Sequence, residues 1–226
     1  MVEDNGECRP AARVDADAEL LVRAGRGDLS AFHTLVEKHQ RALTSFIYRL
    51  VHNRADAEDL AQEVLLRVYR GAREFRAESR FATWFYRVAT NVTLNHLDSR
   101  RRRPVVSLDS PEGTPARATP LTDPGLRPDV QIERRELLAV LSRALHRLPE
   151  RQRTAVLLSR FEGLSRAETA EVLSCSLEAV DALLRRARMA LKDALVRYRG
   201  GDEVIGPRSD PVKGSLGGAD GLPNGH

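Results

Sequence analysis

Apolar residues recur at intervals of three and four along most of this chain, and no segment alternates long enough to predict a strand. The helical pattern runs from about Asp17 to Arg103, without proline and with only Gly25, Gly27 and Gly71 as glycines. Residues 104–130 break it: Pro104, Pro111, Pro115, Pro120, Pro124 and Pro128 stand among Ser, Thr, Asp and Gly, which predicts an extended, flexible linker. The pattern resumes at Gln131 and continues to about Arg199. Residues 1–16 and 200–226 lack it, and their polar or Gly- and Pro-rich composition predicts disorder. The expected fold is all-α, with two helical domains, 17–103 and 131–199, joined by the linker.

Three segments carry more than a core pattern. In Asp56 to Arg70, DAEDLAQEVLLRVYR, the residues Leu60, Val64, Leu65 and Val68 form one apolar stripe. Asp56, Asp59 and Glu63 fall on the other side, flanked by Glu58 and Gln62. Two readings are open: a solvated face whose acids suit a helix N-terminus, or a docking face for a basic partner. In Phe75 to Arg103, the residues Phe81, Trp84, Phe85, Val88 and Val92 follow helical spacing and are expected in or beside a core. The opposite face carries Arg80, Arg87, Asn91, Asn95 and His96, and the segment ends in Arg100, Arg101, Arg102 and Arg103. Four successive arginines repel one another and are stable only in water or against a polyanion. A solvated helix end is one reading. The Asn side chains, which can hydrogen-bond base edges, and the nearby rings, which can stack on unpaired bases, favour nucleic acid.

The third segment is Leu148 to Arg199. Ser165-Arg-Ala-Glu168 has the form of a capping box and opens a short helix to about Leu173. Ser174, Cys175 and Ser176 form a turn, with Cys175 a small packing residue. Ser176 caps a second helix whose Val180, Leu184, Ala187 and Leu191 face inward. Asp181, Arg185, Arg188 and Lys192 lie on another face, with Arg186 at its edge. Asp181 and Arg185 are spaced to pair with each other. Ala167 and Ala170 permit close approach of the two helices. A helix, a tight turn and a second helix with a basic face is the helix-turn-helix arrangement, whose second helix enters the major groove. Any antiparallel helix pair is the plainer alternative.

Composition narrows the function. Of 226 residues 42% are hydrophobic, enough for real cores, and the net charge is +4 with a pI near 9.4. This excess is small, so the grouping of the arginines matters more than the total. Cys8 and Cys175 lack Cys or His at metal spacing, so neither a zinc site nor a disulfide framework is expected. The six histidines are scattered, and there is no Ser/His/Asp arrangement and no phosphate-binding glycine loop. No enzyme activity, catalytic residue, metal or cofactor is therefore expected. The polar N-terminus is no signal peptide, and no apolar run reaches the roughly 18–20 residues of a membrane span, so the expected location is the cytoplasm.

Taken in order, DAEDLAQEVLLRVYR, then SRFATWFYRVATN from Ser79 to Asn91 leading into NHLDSRRRR, then LPERQRTAVLLSRFEGLSRAETAEVLSCSLEAVDALLRRAR from Leu148 to Arg188, resemble the sigma-70 family in its extracytoplasmic-function subgroup. The resemblance covers about residues 17–199 apart from the linker. It implies a region 2 helical bundle in the first domain and a region 4 helix-turn-helix in the second. It also implies that Asp56, Asp59, Gln62 and Glu63 grip the beta-prime clamp helices of core RNA polymerase. Arg80, Trp84, Arg87, Asn91, Asn95, His96 and Arg100 to Arg103 would meet the −10 region of promoter DNA. Ser165, Ser176, Asp181, Arg185, Arg186 and Arg188 would meet the −35 region. The linker would run toward the RNA exit channel, region 4 would meet the beta flap, and an anti-sigma factor becomes a candidate partner. The chain departs from the family in holding Asp181, Ala182 and Leu183 where basic or small polar residues are usual. Base reading then falls to Asp181, which can accept from cytosine N4, and to Arg185 and Arg186, which can bind guanine O6 and N7. The rival reading is a stand-alone helix-turn-helix regulator, which leaves the acidic helix and the linker without a role.

Overall fold

The computed structural model describes residues 15–76, 80–102 and 128–200. Within them lie eight α-helices: α1 (Ala16–Gly25), α2 (Leu29–Val51), α3 (Arg54–Gly71), α4 (Phe81–Arg102), α5 (Pro128–Arg147), α6 (Glu150–Val156), α7 (Arg166–Leu173) and α8 (Leu177–Arg199). A π-helical stretch, Leu157–Phe161, extends α6. No strand occurs among the described residues, and no helix there is long and apolar enough to cross a membrane. The predicted linker and both predicted disordered termini lie almost wholly outside the described residues. Two boundaries move. Asp15, expected in the disordered N-terminus, caps α1, and residues 128–130, expected in the linker, open α5. Proline suits a helix's first turn because its missing N–H would have no intrahelical partner there.

Side-chain caps start the helices where the sequence offers Asp, Asn or Ser. Asp15 accepts from the Asp17 and Ala18 amides, Asp28 from Ala31, and Asn53 from Asp56. Each such cap stabilises by about 1 kcal/mol. α2 ends at His52, whose φ of 57° turns the chain sharply into Asn53 and α3.

The α1–α4 bundle closes around Leu21, Leu43, Phe46, Ile47, Val64, Val68, Phe81 and Phe85. Val64, Val68, Phe81 and Phe85 belong to the stripes expected on α3 and α4, with one refinement: Ala57 and Ala61 are fully packed on α3, whereas Leu60 and Leu65 are only half-buried. Close approach sets two corners. A Cβ on Gly25 would lie 2.3 Å from the Ala72 carbonyl oxygen, so the end of α1 touches backbone beyond α3. A Cβ on Gly71 would lie 3.0 Å from the Trp84 ring, which also packs edge-on against Phe75 at 5.3 Å.

The second group, α5 to α8, is the helix-turn-helix with two supporting helices. Val180 and Ala187 of α8 are buried, and Leu184 and Leu191 are partly buried. The two expected domains do not stand apart. Leu157, Leu158, Leu164, Val172 and Leu173 join the same apolar cluster as Phe46, Phe85 and Tyr86, so the halves share one core. α7 lies along α4.

Candidate nucleic-acid interface

The helix-turn-helix is built as its sequence predicts. The Ser165 hydroxyl accepts from the Glu168 amide at 3.2 Å, and the Glu168 carboxylate accepts from the Ser165 amide at 2.8 Å, completing the capping box. α7 stops at Ser174, whose φ of 49° is left-handed. Ser176 accepts from the Ala179 amide at 3.2 Å and restarts the chain as α8. Of the two alanines expected between the helices, Ala170 is buried but Ala167 is exposed. Cys175 is half-buried and packs against the core.

The face of α8 is open. Arg185, Arg186 and Arg188 are exposed, and no acid among the described residues forms an ion pair with them. Asp181 is held differently from its expected pairing with Arg185: Arg166, from α7, reaches it at 3.2 Å. The first and second helices are thus tied together by charge, and Arg185 keeps its guanidinium for another partner. Ser165 and Ser176 are exposed but committed as caps.

The α4 face is basic but engaged. Arg80 donates to Glu168 at 2.9 Å, and Arg87 donates to Glu171 at 3.3 Å, both acids on α7. Burial opposes the charge on Glu168, but the Ser165 bonds and Arg80 outweigh it and hold its carboxyl below the ordinary glutamate range. Thr83 points at the same carboxylate, 3.3 Å away. One turn on, the buried Tyr86 hydroxyl donates to Glu162. Burial pushes the Glu162 carboxyl up, against that hydrogen bond and Arg49. Asn91 and Asn95 remain exposed on α4. Trp84 is half-buried between Gly71 and Phe75, on the bundle side. At the arginine run, Arg100 bonds Asp56 at 2.5 Å, Arg101 bonds Glu150 at 3.1 Å, and Arg102 caps the Asp98 carbonyl at 3.3 Å. Arg103 lies outside the described residues.

The expected acidic docking face divides. Asp59 and Gln62 are exposed on α3. Glu63 pairs with Arg67 one turn away at 2.7 Å. Asp56 turns toward α4, where Arg100 holds it and His96 lies 3.7 Å away. The sequence reading missed Glu162, Glu168 and Glu171 as partners of the α4 face. Glu168 was legible as a cap, but nothing local marks its second role, because Arg80 is 88 residues away.

Comparison with known proteins settles the class. Residues 35–103 match the family model for Sigma-70 region 2, and residues 138–191 match that for Sigma-70, region 4. The RNA polymerase sigma-H factor of Pseudomonas aeruginosa is 39% identical over 187 residues, covering 80% of this chain and 94% of that protein. The ECF RNA polymerase sigma-E factor of Escherichia coli (strain K12) is 33% identical over 176 residues, covering 77% and 92%. A solved structure of the sigma factor RpoE in complex with the anti-sigma factor NepR, from Bartonella quintana, shares the fold with a TM-score of 0.56. It is 22% identical and covers 73% of this chain and 96% of that one. The chain belongs to the sigma-70 family and is a sigma factor of the extracytoplasmic-function type. The region 2 match disposes of the stand-alone regulator, which has no use for residues 35–103.

Proposed function

We propose that this sigma factor divides promoter recognition between two faces and keeps a third for the polymerase. Asp59 and Gln62, with Glu63 and Asp56 beside them, dock α3 on the beta-prime clamp helices. Arg80, Arg87, Asn91, Asn95, His96 and the run Arg100 to Arg103 meet the −10 region, with Trp84 bracing α4 and open to stacking at its exposed edge. Arg185, Arg186 and Arg188 of α8 read the −35 region, with Asp181 positioned by Arg166. Ser165 and Ser176 set the angle of the two helices and offer hydroxyls to phosphate. The beta flap is a further contact for region 4, and an anti-sigma factor is a further partner. The protein works in the cytoplasm and has no catalytic chemistry of its own.

The observation that carries this reading is the open basic face of α8 beyond a fully capped three-residue turn. An exposed guanidinium on a recognition helix is free to bind guanine bidentately, which discriminates by about 1–3 kcal/mol against the wrong base. The α3 assignment draws on the outward acid Asp59 and the outward amide Gln62, which no basic side chain of the described residues covers. The test is run-off transcription with purified core polymerase on a library of promoter fragments. The expected result is a defined subset of start sites that appears only with this protein. Uniform or absent initiation across the library would refute the assignment.

A further inference from the structure

The seam between the halves contains a cluster that promoter recognition does not use. His52, at the left-handed end of α2, packs edge-on against His146 of α5, with ring centroids 3.8 Å apart. Arg153 of α6 is 6% exposed and sends one guanidinium nitrogen toward both rings. That nitrogen lies 3.1 Å from His52 Nε2, 3.3 Å from His146 Nδ1 and 3.0 Å from the His146 carbonyl oxygen. A guanidinium has only donors, so an imidazole nitrogen that bonds it must present a lone pair. The two hydrogens of this Arg153 nitrogen are shared among three acceptors, and an imidazole that accepts one is neutral, with its proton on the other ring nitrogen. A protonated imidazole carries hydrogen on both nitrogens. It would lose its bond to Arg153 and set a second cation against it.

We propose that His52, His146 and Arg153 form an acid-released latch, which holds the helix-turn-helix half over the α4 face at neutral pH and lets it go when the histidines protonate. The consequence for DNA rests on the reading of α4 given above, whereas the opening itself does not.

The surroundings favour this direction. From α2, Tyr48 meets His52 only as a ring edge, at 6.2 Å. From α3, Arg54 is held by Glu58 at 2.8 Å. From α5, Arg147 adds positive charge near His146. From α6, Glu150 steadies Arg153 but is bridged by Arg101 of α4, itself a repelling charge on Arg153. Burial, then His146 and Arg153, bring His52 down to about 4. Burial, then Arg153 and Arg147, lower His146. Because the closed form holds these histidines below their ordinary value, the open form takes up protons first. Closure is then complete above the ordinary histidine value and weakens as pH falls below it, by up to about tenfold per histidine for each pH unit. Glu162 acts in the opposite sense, since its carboxyl is raised in the closed form, and it must be controlled.

Small-angle scattering on the full chain from about pH 7.5 to about pH 5.5, a window centred on histidine titration, tests the latch. The expected result is a rise in radius of gyration as pH falls, with far-UV circular dichroism unchanged and a steeper rise in Glu162→Gln. His52→Asn with His146→Asn should abolish the pH response. Asn is suited to the left-handed backbone at position 52. A double variant expanded at every pH also supports the latch, provided the unaltered chain responds. A constant radius in the unaltered chain, an undiminished response in the double variant, or helix loss in step with expansion would overturn it. Anisotropy of a labelled single-stranded oligonucleotide of mixed sequence separates the two readings. Expansion without tighter binding contradicts the α4 assignment and leaves the latch standing.

Discussion

α4 and α8 are the two basic helices of this protein, and the contrast between them lies in what their arginines touch. On α8, Arg185, Arg186 and Arg188 face solvent. On and just before α4, Arg87 and Arg80 are bound by acids of α7, and Arg100 by Asp56 of α3. On the proposed assignment, the free chain offers nucleic acid one ready face and one face that must first exchange a carboxylate for a phosphate. Charge grouped on a helix gives a surface its capacity to bind DNA, but intramolecular partners set how much of that capacity is available. On the proposed assignment, parting the halves would free the α4 arginines for DNA.

The largest effect should come from the core that makes the α4 face dependent on the other half. Leu158 is fully buried within the cluster shared by both halves. Leu158→Ala should cost about 2–5 kcal/mol, as a truncated side chain leaves a cavity. Thermal unfolding should stay a single transition at lower temperature. Two transitions, with only the second half shifted, would separate the halves and remove the basis of the contrast. Next in size is Asp59→Lys with Glu63→Lys. If α3 meets a basic surface, the reversal should weaken binding to core polymerase by about 3 kcal/mol or more, roughly a hundredfold, because like charges are brought together. Unchanged affinity for core polymerase would show that α3 is not the docking helix.

The features legible in the sequence are those set within a few residues. Ser165 and Glu168 declare a capping box through their spacing, and Ser176 declares the next helix start. Phe81, Phe85 and Val92 declare a buried stripe through theirs. Periodicity is local, so it places a side chain on a face without naming what lies opposite. The Asp181–Arg185 pairing was reasonable from i, i+4 spacing, yet Arg166 takes Asp181 because α7 crosses α8 there. The arginines of α4 looked free for the same reason, since Glu168 and Glu171 are more than 80 residues distant. His52 and His146 looked scattered, and only the packing of α5 against the α2 end makes them neighbours. The fold begins earlier than composition predicts because one polar residue has two roles: Asp15 caps α1 and also accepts from the Phe81 amide at 2.8 Å.

A smaller effect tests the open side of the comparison. Arg185→Ala should weaken binding to the upstream promoter element by about 1–3 kcal/mol and relax base preference at one position. Loss of affinity that is uniform across sequences, with a salt dependence shallower by about one phosphate contact, would instead make Arg185 a backbone contact.

The smallest effect tests the engaged side most directly. Glu168→Gln with Glu171→Gln removes the charges that hold Arg80 and Arg87 while keeping side-chain shape. The capping box survives, because Gln serves at its third position as Glu does. Stability should therefore change little, the more so because Arg80 is 67% exposed and exposed ion pairs contribute only about 0.2–1 kcal/mol each. That same modest sum is what a phosphate must overcome to take the arginines. The double variant should bind single-stranded DNA up to roughly fivefold more tightly than the unaltered chain, while Arg185-dependent duplex binding stays the same. Anisotropy at low ionic strength reads both, and added salt should narrow the gap, since it screens the intramolecular pairs and the phosphate contacts alike. Equal single-strand affinity in the two proteins would mean that the α7 acids do not compete with DNA, and that α4 and α8 differ in geometry but not in availability.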